Sequence, residues 1–149
     1  FQRAPVDLYD LCAQSLERLS PVAARQSVTL ALTGEHAEIM GVEQLLKEMI
    51  YNLLDNAIKY NVPGGSVTAS VRKSAGRTIL SVADTGIGIP YAHQPRVFER
   101  FYRVDKSHSK EVGGTGLGLS IVRHAAQYHG ARLELKSQPG KGTTITVTF

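Results

Sequence analysis

Asn52 and Asn56 stand four residues apart in the segment YNLLDNAIKY, with Lys59 three residues further on. At about 100° per residue on a helix, with Asn52 at zero, Glu48 lies near 320°, Asn56 near 40° and Lys59 near 340°, in one polar row. Leu46, Ile50, Leu53 and Ala57 fall between roughly 100° and 160°, so the row borders a buried face. A carboxamide offers a neutral oxygen to a hard cation and donors to a phosphate, so the row suits a metal–phosphate group. The plain alternative is a solvated helix flank, but asparagine is a poor interior helix former, and two so close call for a reason.

A second stretch, SVADTGIGIP, runs from a strand into a glycine-rich turn with Asp84 at the junction. Gly86 and Gly88 allow positive φ and close approach to a flat ligand, and the carboxylate can accept a hydrogen bond from an exocyclic amine such as that of adenine. Asp-Thr-Gly also occurs in aspartic proteases, but one copy would demand a homodimer in which two carboxylates share a proton, and nothing else in the chain supports that. The plain alternative is a turn with no ligand.

The third stretch, GGTGLGLSIVRHAAQYHG, places Gly113, Gly114, Gly116 and Gly118 before and inside the first turn of a helix. Free backbone N–H groups and the helix dipole there form an anion site that needs no cation. A Walker loop would need GxxxxGK[ST] and a dinucleotide fingerprint GxGxxG after a strand; neither pattern is present.

The elements that must position these stretches follow from periodicity. Val6 to Arg25 has helical spacing, with Leu8, Leu11, Cys12, Leu16 and Leu19 on one stripe and Asp7 as N-cap; Pro21 should bend or stop it. SVTLAL and AEIMG read as strands, Val42 to Tyr60 as the strongest helix, and SVTASVRKS with RTILSVADT as a hairpin turning at Ala75 and Gly76. Pro90 to Gly114 has no periodic pattern, and a loop that long in a compact domain is usually functional. Leu117 to Tyr128 is helical, closed by Gly130, and RLELKS with TTITVTF forms a last hairpin around QPGKG. The order argues for an α+β sandwich, a mixed sheet with helices on one face.

The 149 residues suit one globular domain. No run approaches a membrane span, and the start lacks the pattern of a signal peptide. The single cysteine, Cys12, allows no internal disulfide and fits a reducing compartment, where it serves as a small buried hydrophobe. The net charge of +4 comes from basic residues spread along the chain, which argues against nucleic acid as a partner.

These stretches resemble the boxes of the catalytic, ATP-binding domain of bacterial sensor histidine kinases, within the superfamily of gyrase, Hsp90 and MutL. NLLDNAIKY is similar to its N box, DTGIGIP to its G1 box, VFERFYRVD to its F box and GGTGLGLSIV to its G2 box, in the family's order and across nearly the whole chain. RFYRVDKSHSKEVGGTGLGLSIV is further similar to the PhoR-like subgroup.

The resemblance implies the Bergerat fold, a mixed sheet of about five strands on three helices, with ATP between the sheet and a mobile lid over about 90–115. It implies Asn56 as the magnesium ligand, Asn52 and Lys59 as phosphate-side contacts, and Tyr60 as a wall against the nucleotide. Asp84 would read the adenine amine with support from Thr143, within a turn formed by Gly86, Gly88 and Ile89. Gly114, Thr115, Gly116, Leu117 and Gly118 would meet the phosphates, the last three through backbone donors. Phe98 and Phe101 would pack the lid, and Arg100 or Arg103 would reach the γ-phosphate.

In hydrolysing relatives and in anti-sigma serine kinases, a glutamate one turn before the magnesium-binding asparagine is the general base; here that place holds Asn52, which cannot take a proton at neutral pH. The resemblance therefore implies phosphoryl transfer to a histidine of a separate dimerisation domain, in two-component signalling with a response regulator receiver domain. None of His36, His93, His108, His124 and His129 has the sequence context of that acceptor. The expected setting is the cytoplasmic side of a membrane-bound homodimeric parent, from which this chain is an excised, monomeric domain. An anti-sigma-type serine kinase and a catalytically degenerate docking module are the rival readings.

Overall fold

The computed structural model describes residues 2–104 and 117–149. Strand β1 (Ala4–Asp7) leads into helix α1 (Leu8–Arg25), followed by β2 (Thr29–Gly34), β3 (Glu38–Gly41), helix α2 (Glu43–Lys59), β4 (Ser66–Ser74) and β5 (Arg77–Asp84). A 3₁₀ segment (Tyr91–Arg96), helix α3 (Gly118–Tyr128) and strands β6 (Arg132–Gln138) and β7 (Gly142–Thr148) complete the order.

The main sheet has five strands in the order β2-β4-β5-β7-β6, with β2 and β4 parallel and the other pairs antiparallel. Its strands alternate at period two. Val67, Ala69 and Val71 of β4, Leu80 and Val82 of β5, and Ile145 and Val147 of β7 point into the core. The three α-helices among the described residues pack on that face, with α2 central between α1 and α3. Helix α2 buries Leu46, Met49, Ile50, Leu53, Leu54 and Ile58, and so cannot rotate without exposing them. This fixes which side of α2 its polar row presents. The expected α+β sandwich is therefore the observed one.

Ala75 (φ 51°) and Gly76 (φ 76°) form a two-residue turn between paired Ser74 and Arg77, with the positive φ values that match the strands' twist. Asp7 caps α1, its Oδ1 accepting from Asp10 N–H at 3.1 Å. Pro21 does not stop α1, which runs on to Arg25 because Leu19 and Ala23, on either side of the proline, are both buried in the core. The lead-in before α1 is a strand, β1 pairing antiparallel with β3 in a separate two-stranded sheet. The patternless stretch after Pro90 contains the 3₁₀ segment.

Candidate functional site

A cavity of about 630 Å³ opens between α2, the end of the sheet and the residues after β5. This lies within the range of small-molecule sites. Helix α2 contributes Asn52, Asp55, Asn56 and Lys59, and its C-cap Tyr60 adds to the wall. Val82, Asp84, Thr143 and Ile145 form the sheet side, and Gly88, Ile89 and Arg103 close it from above. Gly118, the first residue of α3, lines it as well.

Each polar residue of α2 has a defined state. Asn52 Nδ2 donates to the Glu48 carbonyl at 2.7 Å, which leaves its Oδ1 turned toward Gly118; a Cβ there would lie 3.2 Å from that oxygen. Lys59 Nζ pairs with Asp55 Oδ2 at 3.0 Å, one turn back. The Asn56 carboxamide has no hydrogen-bond partner among the described residues and lines the cavity.

Asp84 ends β5 opposite Thr143 of β7. Its Oδ1 accepts from Gly86 N–H at 2.8 Å and from Thr143 N–H at 3.2 Å. Among the described residues Oδ2 has no donor. Burial pushes the carboxyl above its ordinary value, and the two amide hydrogen bonds only partly oppose this.

The tight turn after Asp84 depends on glycine. A Cβ on Gly86 would meet the Tyr60 carbonyl at 2.4 Å, and one on Gly88 (φ 71°) would meet the Gln138 carbonyl at 2.1 Å. Gly140 N–H donates to the Ile87 carbonyl at 2.7 Å, tying this turn to the β6–β7 turn. Ile89 N–H donates to Ser137 Oγ at 2.8 Å.

The predicted lid residues separate into two groups. Arg103 lines the cavity, whereas Arg100 does not; its guanidinium lies 5.0 Å from the centre of the Phe101 ring. Phe98 packs against the core, whereas Phe101, at φ 65°, is 62% exposed among the described residues. Its left-handed backbone turns the ring outward, under Arg100. Leu117 caps α3 and its carbonyl accepts from Ile121 N–H, but its side chain is not part of the cavity wall. Gly113, Gly114, Thr115, Gly116 and His108 lie outside the described residues.

Residues 41–149 match the family model described as "Histidine kinase-, DNA gyrase B-, and HSP90-like ATPase". The chain belongs to this ATPase family. Sensor histidine kinase YkoH of Bacillus subtilis is 42% identical over 144 residues, covering 97% of this chain and 31% of YkoH. The phosphate regulon sensor protein PhoR of Pseudomonas aeruginosa is 40% identical over 146 residues, covering 97% of the chain and 33% of PhoR. The chain thus spans about a third of the length of these curated relatives. Among solved structures, the mycobacterial sensor histidine kinase MprB superposes with a TM-score of 0.83 at 32% identity, covering 99% of this chain and 96% of that one. Full-length ShkA in complex with AMPPNP gives 0.84 at 30% identity, covering 98% and 30% respectively.

Within this ATPase-family domain, Asp55 lines the cavity as the partner of Lys59, a role that the i,i+4 spacing signals. Ser137 and Gln94 were not found from the sequence. Gln94 Nε2 donates to the Ile89 carbonyl at 2.9 Å and the Ser137 carbonyl at 3.1 Å, pinning the 3₁₀ segment to the sheet. Two further groups are accounted for without a ligand. Asp7, Asp10 and His36 cluster at the start of α1, where His36 Nδ1 lies 3.0 Å from Asp7 Oδ2 and 3.4 Å from Asp10 Oδ1. These contacts lie at the positive end of a helix, where the dipole opposes a metal cation. The Cys12 thiol, pushed up to about 12 by burial and the nearby Asp7 charge, is an inert part of the core.

Proposed function

We propose that the chain binds Mg-ATP and positions its γ-phosphoryl for transfer to a histidine of a separate dimerisation domain. The observation that carries this reading is the meeting, in one cavity, of Asp84, the Asn56 carboxamide, Lys59 and the start of α3. Asp84 Oδ2 suits the adenine amine. Asn56 offers the kind of oxygen magnesium takes, and its lack of a partner among the described residues fits that role. When bound, the ion would neutralise charge on the phosphates. Lys59, Arg103 and the N–H groups at the start of α3 act on the same charge.

Among the described residues two carboxylates line the cavity: Asp55, held by Lys59, and Asp84, at the sheet end. Glu48 is not part of its wall, and its Oε1 accepts from Gln44. With Asn52 at the position next to Gly118, the site binds and orients ATP without a base to activate water, which favours transfer over hydrolysis. In the step itself, the acceptor imidazole nitrogen bonds to the γ-phosphorus in line as the bond to the ADP oxygen breaks. This separates the reading from a serine kinase of the anti-sigma type, which needs that base.

The phosphoryl group then passes to a receiver domain. The parent is a membrane-anchored homodimer with this domain on the cytoplasmic side, and the domain alone is monomeric. No helix among the described residues is long and apolar enough to cross a membrane. The similarity to ShkA, whose structure holds AMPPNP, supports an adenine nucleotide here.

Calorimetric titration with ATP and GTP, each with and without magnesium, tests the binding step. Incubation with labelled ATP and an added dimerisation domain tests the transfer. ATP-selective, magnesium-assisted binding and an acid-labile phosphohistidine on the added domain are expected; ATP binding without any transfer would leave a docking module.

A further inference from the structure

Ser137 lies on β6, is 9% exposed, and is not part of the cavity wall. Its hydroxyl meets three polar groups. Ile89 N–H donates to Oγ at 2.8 Å, the Gly142 carbonyl lies 3.1 Å away, and Thr143 Oγ1 lies 2.8 Å away. A serine hydroxyl carries one proton and two lone pairs. The amide can only donate and the carbonyl can only accept. Ser137 therefore gives its proton to Gly142 and receives the Ile89 N–H and the Thr143 hydroxyl proton. In the reverse arrangement, with Ser137 donating to Thr143, two oxygens would face each other at 3.1 Å with no proton between them.

The consequence falls on Thr143, which does line the cavity. Its only hydroxyl proton points away to Ser137, so toward the cavity its oxygen can only accept. Beside it, Asp84 has Oδ1 occupied by the Gly86 and Thr143 amides, and its other oxygen also can only accept. The Asp84 carboxylate and the Thr143 hydroxyl thus both present lone pairs to the cavity. Gln94 holds the backbone on both sides of the arrangement through the Ile89 and Ser137 carbonyls.

We infer that Ser137 is a specificity-positioning residue that fixes the Thr143 hydroxyl as an acceptor, so that this end of the cavity selects a base edge bearing an amine and rejects one bearing a carbonyl. The inference rests on the nucleotide reading above and adds a residue outside the cavity that controls base selection. An amine donates to such a surface directly, or through a water that donates its protons to it. A carbonyl in the same place meets lone pairs.

The test compares ATP with inosine triphosphate, which replaces the amine by a carbonyl and the N1 lone pair by an N–H; the triphosphate is unchanged, so phosphate and magnesium contributions cancel in the affinity ratio, and the N1 change is common to every variant compared. The unmodified chain should prefer ATP. Ser137→Ala frees the Thr143 hydroxyl to rotate and donate, and should lower the ratio roughly three- to tenfold, mainly by strengthening inosine triphosphate binding. Ser137→Thr, which keeps a hydroxyl, should restore it. In a Thr143→Val background, Ser137→Ala should leave the ratio unchanged. Equal weakening of both nucleotides by Ser137→Ala, or the same shift in the Thr143→Val background, would overturn the inference. If Ser137→Ala does not fold, the near-isosteric Thr143→Val carries the test alone, and an unchanged ratio there overturns it. Failure of the unmodified chain to bind either nucleotide would instead overturn the nucleotide reading itself.

Discussion

Asp84 and Thr143 are joined twice, as opposed residues in the β5–β7 ladder and through the Thr143 N–H that donates to Asp84 Oδ1 at 3.2 Å. The strand pairing that builds the sheet thus also aims the carboxylate. Gly142 makes this possible: at φ 141°, a Cβ there would lie 2.1 Å from the Asp84 carbonyl.

Asp84→Asn should therefore separate binding from stability. The asparagine oxygen can keep both amide hydrogen bonds, which turns Nδ2 toward the cavity, donor against donor. ATP affinity should fall about tenfold or more by calorimetry. Burial raises the Asp84 pKa, so in that range the folded chain binds more protons than the unfolded one, and this carboxyl destabilises the fold as pH rises above about 4. The variant should accordingly melt higher than the unmodified chain at pH 7, with the gap closing toward pH 4. Weaker binding together with a lower melting temperature would show a damaged fold instead.

Arg103 lines the cavity, while Arg100 lies against the exposed Phe101 ring. Arg103→Ala should slow phosphoryl transfer about tenfold or more, the scale of one lost donor to a developing charge. Arg100→Ala should stay within about twofold, as expected for an exposed charge. Single-turnover rates for the two variants decide it, and the opposite order would assign the γ-phosphate to Arg100.

Asp7 gives a stability prediction far from the cavity. Burial raises its pKa, but the hydrogen bond from Asp10 N–H, the hydrogen bond with His36 and the His36 charge together bring it below the ordinary value. Asp7→Ala should cost about 1 kcal/mol as a lost helix cap, and Asp7→Asn should recover most of that. A lowered carboxylate pKa stabilises the fold above about pH 4, and this contribution disappears as pH falls further. Melting curves of the unmodified chain and Asp7→Ala should converge toward pH 3; a constant gap would mean that the charge state of Asp7 does not matter.

The legible parts of the molecule were those with strong local periodicity. Strand β4 matches the alternating stretch SVTASVRKS end to end, β5 covers RTILSVADT except for its last residue, Thr85, and α2 ends within a residue of its expected bounds, because side-chain patterning fixes them. What was not legible depends on distant partners. β1 is a strand because it pairs with β3, more than thirty residues away, and its four residues carry no alternation of their own. Gly86 and Gly88 announced themselves by spacing in a turn. Gly142 did not, since its reason is the Asp84 carbonyl on the neighbouring strand. Ser137 is a lone serine on a strand, and only the meeting of Ile89, Gly142 and Thr143 around it gives it a task.

The last prediction returns to Asn52. Its Nδ2 is held by the Glu48 carbonyl and its oxygen faces Gly118, so a carboxylate built at this position would point to the same end of the cavity, beside Asn56. Asn52→Glu places a carboxylate where the unmodified chain has a carboxamide, one turn before Asn56. ATP hydrolysis by the isolated chain should rise about a hundredfold, the lower end of what a positioned general base contributes. Transfer to an added dimerisation domain should fall, because water now competes for the same γ-phosphoryl. Asn52→Gln is the control, with similar bulk and no base, and should leave hydrolysis at its original level. If phosphate release from Asn52→Glu also stays at that level while ATP still binds, something other than the missing base suppresses hydrolysis, and water exclusion by the residues above the cavity becomes the explanation to test.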